Sequence, residues 1–279
     1  MSPLVFTLDV FGASIVAGGA GSILGLGGGI IVIPVLTLLF HVDIRYAIGA
    51  SIVSVIATSS GAAAAYVREH LANMRVAMFL ELGTTTGALT GAFLAGILSG
   101  RALYIIFSLV LGYSALAMFR KRHGESGLDV PPDRLADRLR LHAQYYDEQS
   151  GEVVTYRVTH TGVGLVLMYI AGVVSGLLGI GSGSLKVPAM DLAMRLPIKV
   201  SSATSNFMIG VTAAASAGVY FARGDIDPFI AAPVAAGVLV GAIAGSRILG
   251  KLKNSAIRTA FVIVLVWICI QMMWKGLHG

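Results

Sequence analysis

The chain has 279 residues, of which 56% are hydrophobic and 12% charged, and its mean hydropathy is +0.83. Soluble domains carry charge at about a quarter of their positions, so this composition excludes an ordinary water-soluble enzyme and predicts an all-α polytopic membrane protein. The net charge of +6 comes from bases scattered at helix ends, where lipid and topology account for them. The bilayer is therefore an expected partner and nucleic acid is not.

The first apolar run, Leu4 to Leu24, is long enough for a helix. It lacks the basic start and small-residue cleavage site of a secretory signal, so it belongs to the structure. Gly25-Leu26-Gly27-Gly28-Gly29 then breaks it, ahead of Ile30 to Ile33 and Pro34. The stretch from Ile30 to Phe40 rises only about 16 Å as a helix, too little to cross a core of about 30 Å. The whole therefore reads as a hairpin whose broken tip lies within the membrane. Tyr46 to Val67, Val76 to Gly100 and Leu103 to Phe119 are the next three spans, with charged residues from Arg68 to Arg75 between the first two.

Between Arg120 and Arg157 the composition changes, with seven Lys/Arg and seven Asp/Glu, half of all the acids in the chain. This is an aqueous insert, read first as a solvated connector and second as a regulatory or docking element. Pro131-Pro132-Asp133 followed by Arg134 to Leu139 predicts a short capped helix. Tyr145 to Val154 predicts a small β-hairpin. A second broken hairpin follows from about Thr161 to Met194, and then Ser201 to Phe221, Pro228 to Leu249 and Ala256 to Trp274.

This second series repeats the first at an offset of 154 residues. Gly179-Ile180-Gly181-Ser182-Gly183 stands where Gly25 to Gly29 stood, and Pro188 where Pro34 stood. Ser51 meets Ser205, Tyr66 meets Tyr220, and Gly83, Gly87 and Gly91 meet Gly237, Gly241 and Gly245. The chain thus divides into a first membrane repeat (1–119), an insert (120–158) and a second repeat (159–279). The Lys/Arg bias at loop ends holds in both halves only if the insert is cytoplasmic and the halves are upside down to one another. The fold class is then two inverted repeats, each a glycine-broken hairpin and three transmembrane helices, as in many secondary transporters.

Irregular backbone at membrane depth must be buried in protein or line a wet cavity. Gly27, Gly28 and Gly29, with Gly181, Ser182, Gly183 and Ser184, are therefore expected to present free N–H groups and hydroxyls to a small anion, or else to permit close helix packing. Ser51 and Ser205, with Thr204 and Asn206, either line that cavity or bond back to their own helices. Glu81 is a candidate for proton coupling, the alternative being a pair with Arg75. Lys186, which replaces the equivalent Val32, either attracts the anion or extends to the inner surface. Asp9 and Asp191 are placed near interfaces. The glycine stripes Gly83, Gly87, Gly91 and Gly237, Gly241, Gly245 serve helix packing. Thr84-Thr85-Thr86, opposite Val238-Leu239-Val240, is a candidate functional asymmetry.

No nucleophile with a base and no metal cluster is visible, Cys269 stands alone, and all six histidines fall in or beside loops. Neither catalysis nor a metal or cofactor is expected.

The duplicated glycine-broken hairpin with its proline, together with the soluble insert, resembles the TauE/SafE family, exporters of sulfite and organosulfonates. The resemblance covers nearly the whole chain. It implies movement of a small sulfur-containing anion, such as sulfite, thiosulfate or sulfoacetate, across the inner membrane. Ser182 where the first copy has Gly28 departs from the symmetry of the site. The expected function is outward secondary transport by alternating access. The alternatives are import of another small anion or metabolite, or a non-transporting scaffold or sensor acting through the insert. A homodimer is compatible with the sequence.

Overall fold

Every apolar run named above is helical in the structure, a computed structural model that describes residues 3–23, 28–68, 72–120, 133–147, 151–181, 183–249 and 254–278. In the first half the helices are α1 (Pro3–Ile23), α2 (Gly29–Pro34), α3 (Ile44–Arg68), α4 (Met74–Ile97) and α5 (Gly100–Arg120). The insert supplies α6 (Arg134–Arg138), β1 (Ala143–Asp147) and β2 (Glu152–Tyr156). In the second half come α7 (Thr161–Leu178), α8 (Gly183–Pro188), α9 (Ile198–Ala222), α10 (Pro228–Leu249) and α11 (Asn254–His278). The seven longest helices have 21 to 25 residues, or about 31–37 Å at the helical rise. Large apolar side chains also face outward, among them Leu82, Phe93, Val166, Ile170 and Trp267, which suits a lipid surroundings better than water.

The two halves match in detail at the offset of 154. Pro34 ends α2 and Pro188 ends α8, and each is followed by a π-helical turn, Val35–Leu39 and Ala189–Ala193. A proline has no N–H to donate and crowds the carbonyl one turn back, so the helix widens at that point. Beyond each turn the chain closes in the same way. Val42 N–H returns to the Leu36 carbonyl and Leu196 N–H to that of Met190, both at 3.1 Å. His41 and Arg195, again 154 apart, both take left-handed backbone there. Each hairpin ends beside its own beginning. The ring of Phe6 packs edge-on against Phe40 at 5.8 Å, and Thr159 N–H donates to the Met194 carbonyl at 3.2 Å.

The halves interlock rather than sit side by side. The most extensive contacts join α4 to α7 and α1 to α10, each pair taking one helix from either half. A Cβ added at Gly83, Gly87 or Gly91 would fall within 3 Å of the carbonyl oxygens of Leu165, Tyr169 and Val173 in turn. One at Gly237 or Gly241 would meet those of Phe11 and Ile15 as closely. The numbering rises together along both members, so these pairs are parallel. By contrast α3 and α9 pack antiparallel, Gly49 lying against Asp225 and Gly210 against Ser59. The pair α5 and α11 does the same, with Gly276 near Tyr104 and Cys269 donating to the Ser108 carbonyl.

The described residues of the insert pack against the helices on either side of it. Asp133 caps α6 by accepting from Leu135 and Ala136 N–H, and its second oxygen accepts both the N–H and the hydroxyl of Thr161 at the start of α7 (2.7 and 2.6 Å). β1 and β2 pair antiparallel, with Tyr146 opposite Val153. Asn73 joins three elements. Its Oδ1 caps α4, its N–H donates to Thr204 Oγ1 at 3.0 Å, and its Nδ2 donates to the Leu141 carbonyl and the Tyr156 hydroxyl, both at 2.9 Å. Burial pushes the Tyr156 phenol up to about 12 against the lowering effect of the Asn73 bond, so it stays a neutral hydroxyl. Ala136, Leu141 and Val158 of this region share one core with Val76 and Leu80 of α4, Met190 and Met194 of the second hairpin and Val200 of α9.

Candidate functional site

The glycine breaks meet where α3 crosses α9. Gly28 and Gly181 have φ of 75° and 73°, a backbone that side chains with a Cβ rarely adopt. A Cβ at Gly29 would lie 2.6 Å from Ser51 Oγ, 2.8 Å from Val55 and 3.3 Å from the Gly179 carbonyl oxygen. One at Gly183 would lie 2.8 Å from Ile209 and 3.7 Å from Ser205 Oγ. Ser51 and Ser205, Val55 and Ile209 are 154-residue counterparts, so the two tips are held alike. Ser51 and Val55 lie seven and eleven residues into α3, about 10–16 Å along it. Close packing is thus what these glycines provide in the structure. Gly27 and Ser182 lie outside the described residues, as does the side chain of Ser184.

The hydroxyls divide. Ser51 is wholly buried and donates to the Gly179 carbonyl at 2.8 Å, which ties the second break to the first half. Thr204 is occupied by Asn73 N–H. Both are engaged within the protein in this state. Ser205 is different: it is 1% exposed, and its Oγ has no hydrogen-bond partner among the described residues. Asn206 is half-buried one residue on.

The two intramembrane charges singled out from sequence lie in one chain of bonds. Lys186 is 0% exposed and its Nζ donates to Thr212 Oγ1 at 2.7 Å. It therefore does not extend to a surface. The Thr212 hydroxyl reaches Glu81 Oε1 at 2.8 Å and, alternatively, the Met208 carbonyl of its own helix at 2.7 Å. Glu81 is 8% exposed and also accepts from the Thr85 hydroxyl at 3.0 Å. Its other oxygen, Oε2, has no partner among the described residues. The alternative pairing of Glu81 with Arg75 does not occur, for Arg75 donates to the Arg140 carbonyl of the insert. Of the three consecutive threonines only Thr85 joins this chain, while Thr84 and Thr86 bond back to their own helix. Asp9 is exposed near the start of α1, and Asp191 is half-buried in the second π-helical turn.

Thr212 was not foreseen from sequence. A signal existed, since the counterparts of Lys186, Thr212 and Glu81 are Val32, Thr58 and Ala235. Both charges are absent together from the symmetry-related place, where Thr58 simply bonds back to Ser54. Two charges that appear only as a pair, 105 residues apart (186 − 81), invite the inference that they meet. Among the described residues no cluster of His, Cys, Asp and Glu suited to a metal ion is present.

The family model described as sulfite exporter TauE/SafE matches residues 10–272. A probable membrane transporter protein of Bacillus subtilis (strain 168), YunE, is 28% identical over 272 residues, 95% of this chain and 96% of its own length. Another from the same organism, YdhB, is 25% identical over 238 residues, covering 85% and 88%. A probable membrane transporter protein of Xylella fastidiosa (strain 9a5c) is 26% identical over 269 residues, covering 95% and 94%. No solved structure matches.

Proposed function

This chain belongs to the sulfite exporter TauE/SafE family and is a membrane transporter, and from that premise we propose that it carries a small sulfur-containing anion outward across the cell inner membrane. Sulfite, thiosulfate and organosulfonates such as sulfoacetate are the substrates in view. The observation that carries this reading is the second break, where the fully buried Lys186 amine and a buried hydroxyl with no partner among the described residues stand on neighbouring helices. An anion with several oxygens accepts from both Lys186 and Ser205, and from backbone N–H groups freed around Gly181 and Gly183. Gly27 to Gly29 and Ser51 of the first break, with Ser182, Ser184 and Asn206, complete the wall of the proposed site.

In this reading residues 1–119 and 159–279 are inverted repeats and residues 120–158 are cytoplasmic. The antiparallel packing of α3 on α9 and of α5 on α11 supports the inversion, because each helix lies against its own counterpart running the other way. Excess Lys/Arg at the insert end supports the orientation. The glycine locks also refine which parts move. Since α1 is fastened to α10 and α4 to α7, the bodies that rock are these mixed pairs with their hairpins, shearing along the seam of α3 and α9, rather than one repeat against the other.

The test is flux of radiolabelled sulfite, thiosulfate and sulfoacetate in proteoliposomes. Saturable transport of at least one is expected. Ser205→Ala should raise its half-saturation concentration about fivefold to tenfold, as for the loss of a roughly 1 kcal/mol hydrogen bond. Absence of flux from folded wild-type protein for all three would refute the anion reading.

A further inference from the structure

We propose that Lys186, Thr212 and Glu81 form a charge-swap relay, in which the arriving anion takes Lys186 from the relay and Glu81 then binds one proton. The inference rests on the anion reading above and adds a proton that travels with the cargo. With Lys186 protonated and Glu81 ionised the site is balanced, the two charges joined through a single hydroxyl. An anion placed against Lys186 leaves two negative groups and one positive group in a buried space. A carboxylate that loses its countercharge away from water takes up a proton rather than stay ionised.

The geometry accommodates each step. Lys186 stands three residues after Gly183 on α8, and side chains in a helix lean toward its N-terminus, which here is the side of the break. Thr212 can leave Glu81 without losing its bond, because the Met208 carbonyl lies at 2.7 Å as a second acceptor for the same hydroxyl proton. Glu81 Oε2 has no partner among the described residues, so an O–H bond forms there without breaking an existing contact. Thr85 continues to hold Oε1. The proton comes from the aqueous phase that delivers the anion, and it leaves to the other side when Lys186 returns to the relay.

The other titratable groups on the elements around the pair are placed as follows among the described residues. On α4, Arg75 turns to the insert. On α7, the Tyr169 hydroxyl donates to Thr90. Asp191 lies past Pro188 in the second hairpin. On α9, Lys199 lies in the first turn and Tyr220 lies near the far end, bonded to the Gly176 and Leu177 carbonyls. Among the described residues of the insert, Asp133 is held by Thr161 and Tyr156 by Asn73.

Thiosulfate is the probe, because it is fully ionised near neutral pH and every proton counted belongs to the protein. Binding to purified full-length protein in weak buffer with an indicator dye should take up one proton per anion. Apparent affinity should fall as pH rises, by up to about tenfold per unit for one linked proton. The isosteric Glu81→Gln variant should take up none and show a flat pH profile. Lys186→Met should bind at least about tenfold more weakly. A wild type that binds without proton uptake, or a folded Glu81→Gln variant that still takes up a proton, overturns the relay and leaves the carrier reading standing. A folded wild type that neither binds nor exchanges any of the three anions overturns both.

Discussion

At the scale of single residues, glycine does two kinds of work in this chain, and they separate experimentally. Gly176 is one kind: a Cβ there would sit within 3 Å of the Ala88 carbonyl group across the α4–α7 contact. Gly218, in α9, is the control, with nothing within 4 Å of the same added atom. Gly176→Ala should therefore splay the pair and cost about 1–3 kcal/mol, as overpacking does. Gly218→Ala should be neutral or stabilising by up to about 1 kcal/mol through helix propensity. Thermal unfolding of both variants in detergent checks the contrast; equal melting temperatures would show that the close approach carries no energy. The glycine stripes were legible in the sequence because a four-residue spacing has one geometric meaning in a membrane helix. Thr212 was not legible, because hydroxyls in apolar helices mostly bond back to their own backbone, as Thr58 and Ser216 do here.

At the scale of elements, the hairpins were legible as a glycine break followed by a proline, while the π-helical turn after each proline was not, because a hydropathy pattern does not register how tightly a helix is wound. Nor was the insert. Its helix and its strands follow from capping and alternation, but its docking depends on Asn73, a polar residue in a charged loop that gives no hint of four simultaneous bonds. Asp133 makes the same junction sensitive to acid. Burial acts to raise its pKa, yet the Thr161 hydroxyl and the N–H groups of Thr161, Leu135 and Ala136 outweigh it and hold the carboxyl at about 2. Its ordinary value is about 3.9. A depressed folded value means that the stabilisation is fully present above the unfolded pKa and is lost as pH falls through the folded one. Pepsin, active across that window, should begin to cut the insert of the full-length protein between about pH 4 and 2. In Asp133→Asn the step should vanish, with cleavage similar across the range. A wild-type insert resistant throughout would mean that the junction does not depend on the ionised carboxyl.

At the scale of the whole molecule, the 154-residue duplication predicted equivalent elements but not how they combine. Similarity along the chain says that α4 resembles α10; it cannot say that α4 packs on α7 and α10 on α1. That pairing is decided by which glycine stripe faces which backbone, and the partners are far apart in sequence. The same limit hid the relay, whose two charges come from different halves and meet only because α4 and α8 both pack on α9 and its Thr212.

The interlock bears on how such a protein is made. When the ribosome has finished α5, the four long helices of the first half still lack their most extensive neighbours, since α1 awaits α10, α3 awaits α9, α4 awaits α7 and α5 awaits α11. The first half must wait without these contacts until the second is made. Chains cut between α5 and α6 should therefore accumulate as a stable complex when both pieces are synthesised together and be degraded when either is made alone. By the same logic, a single-repeat ancestor would have needed a second copy of itself, packed antiparallel along α3 and α5, to close its helices.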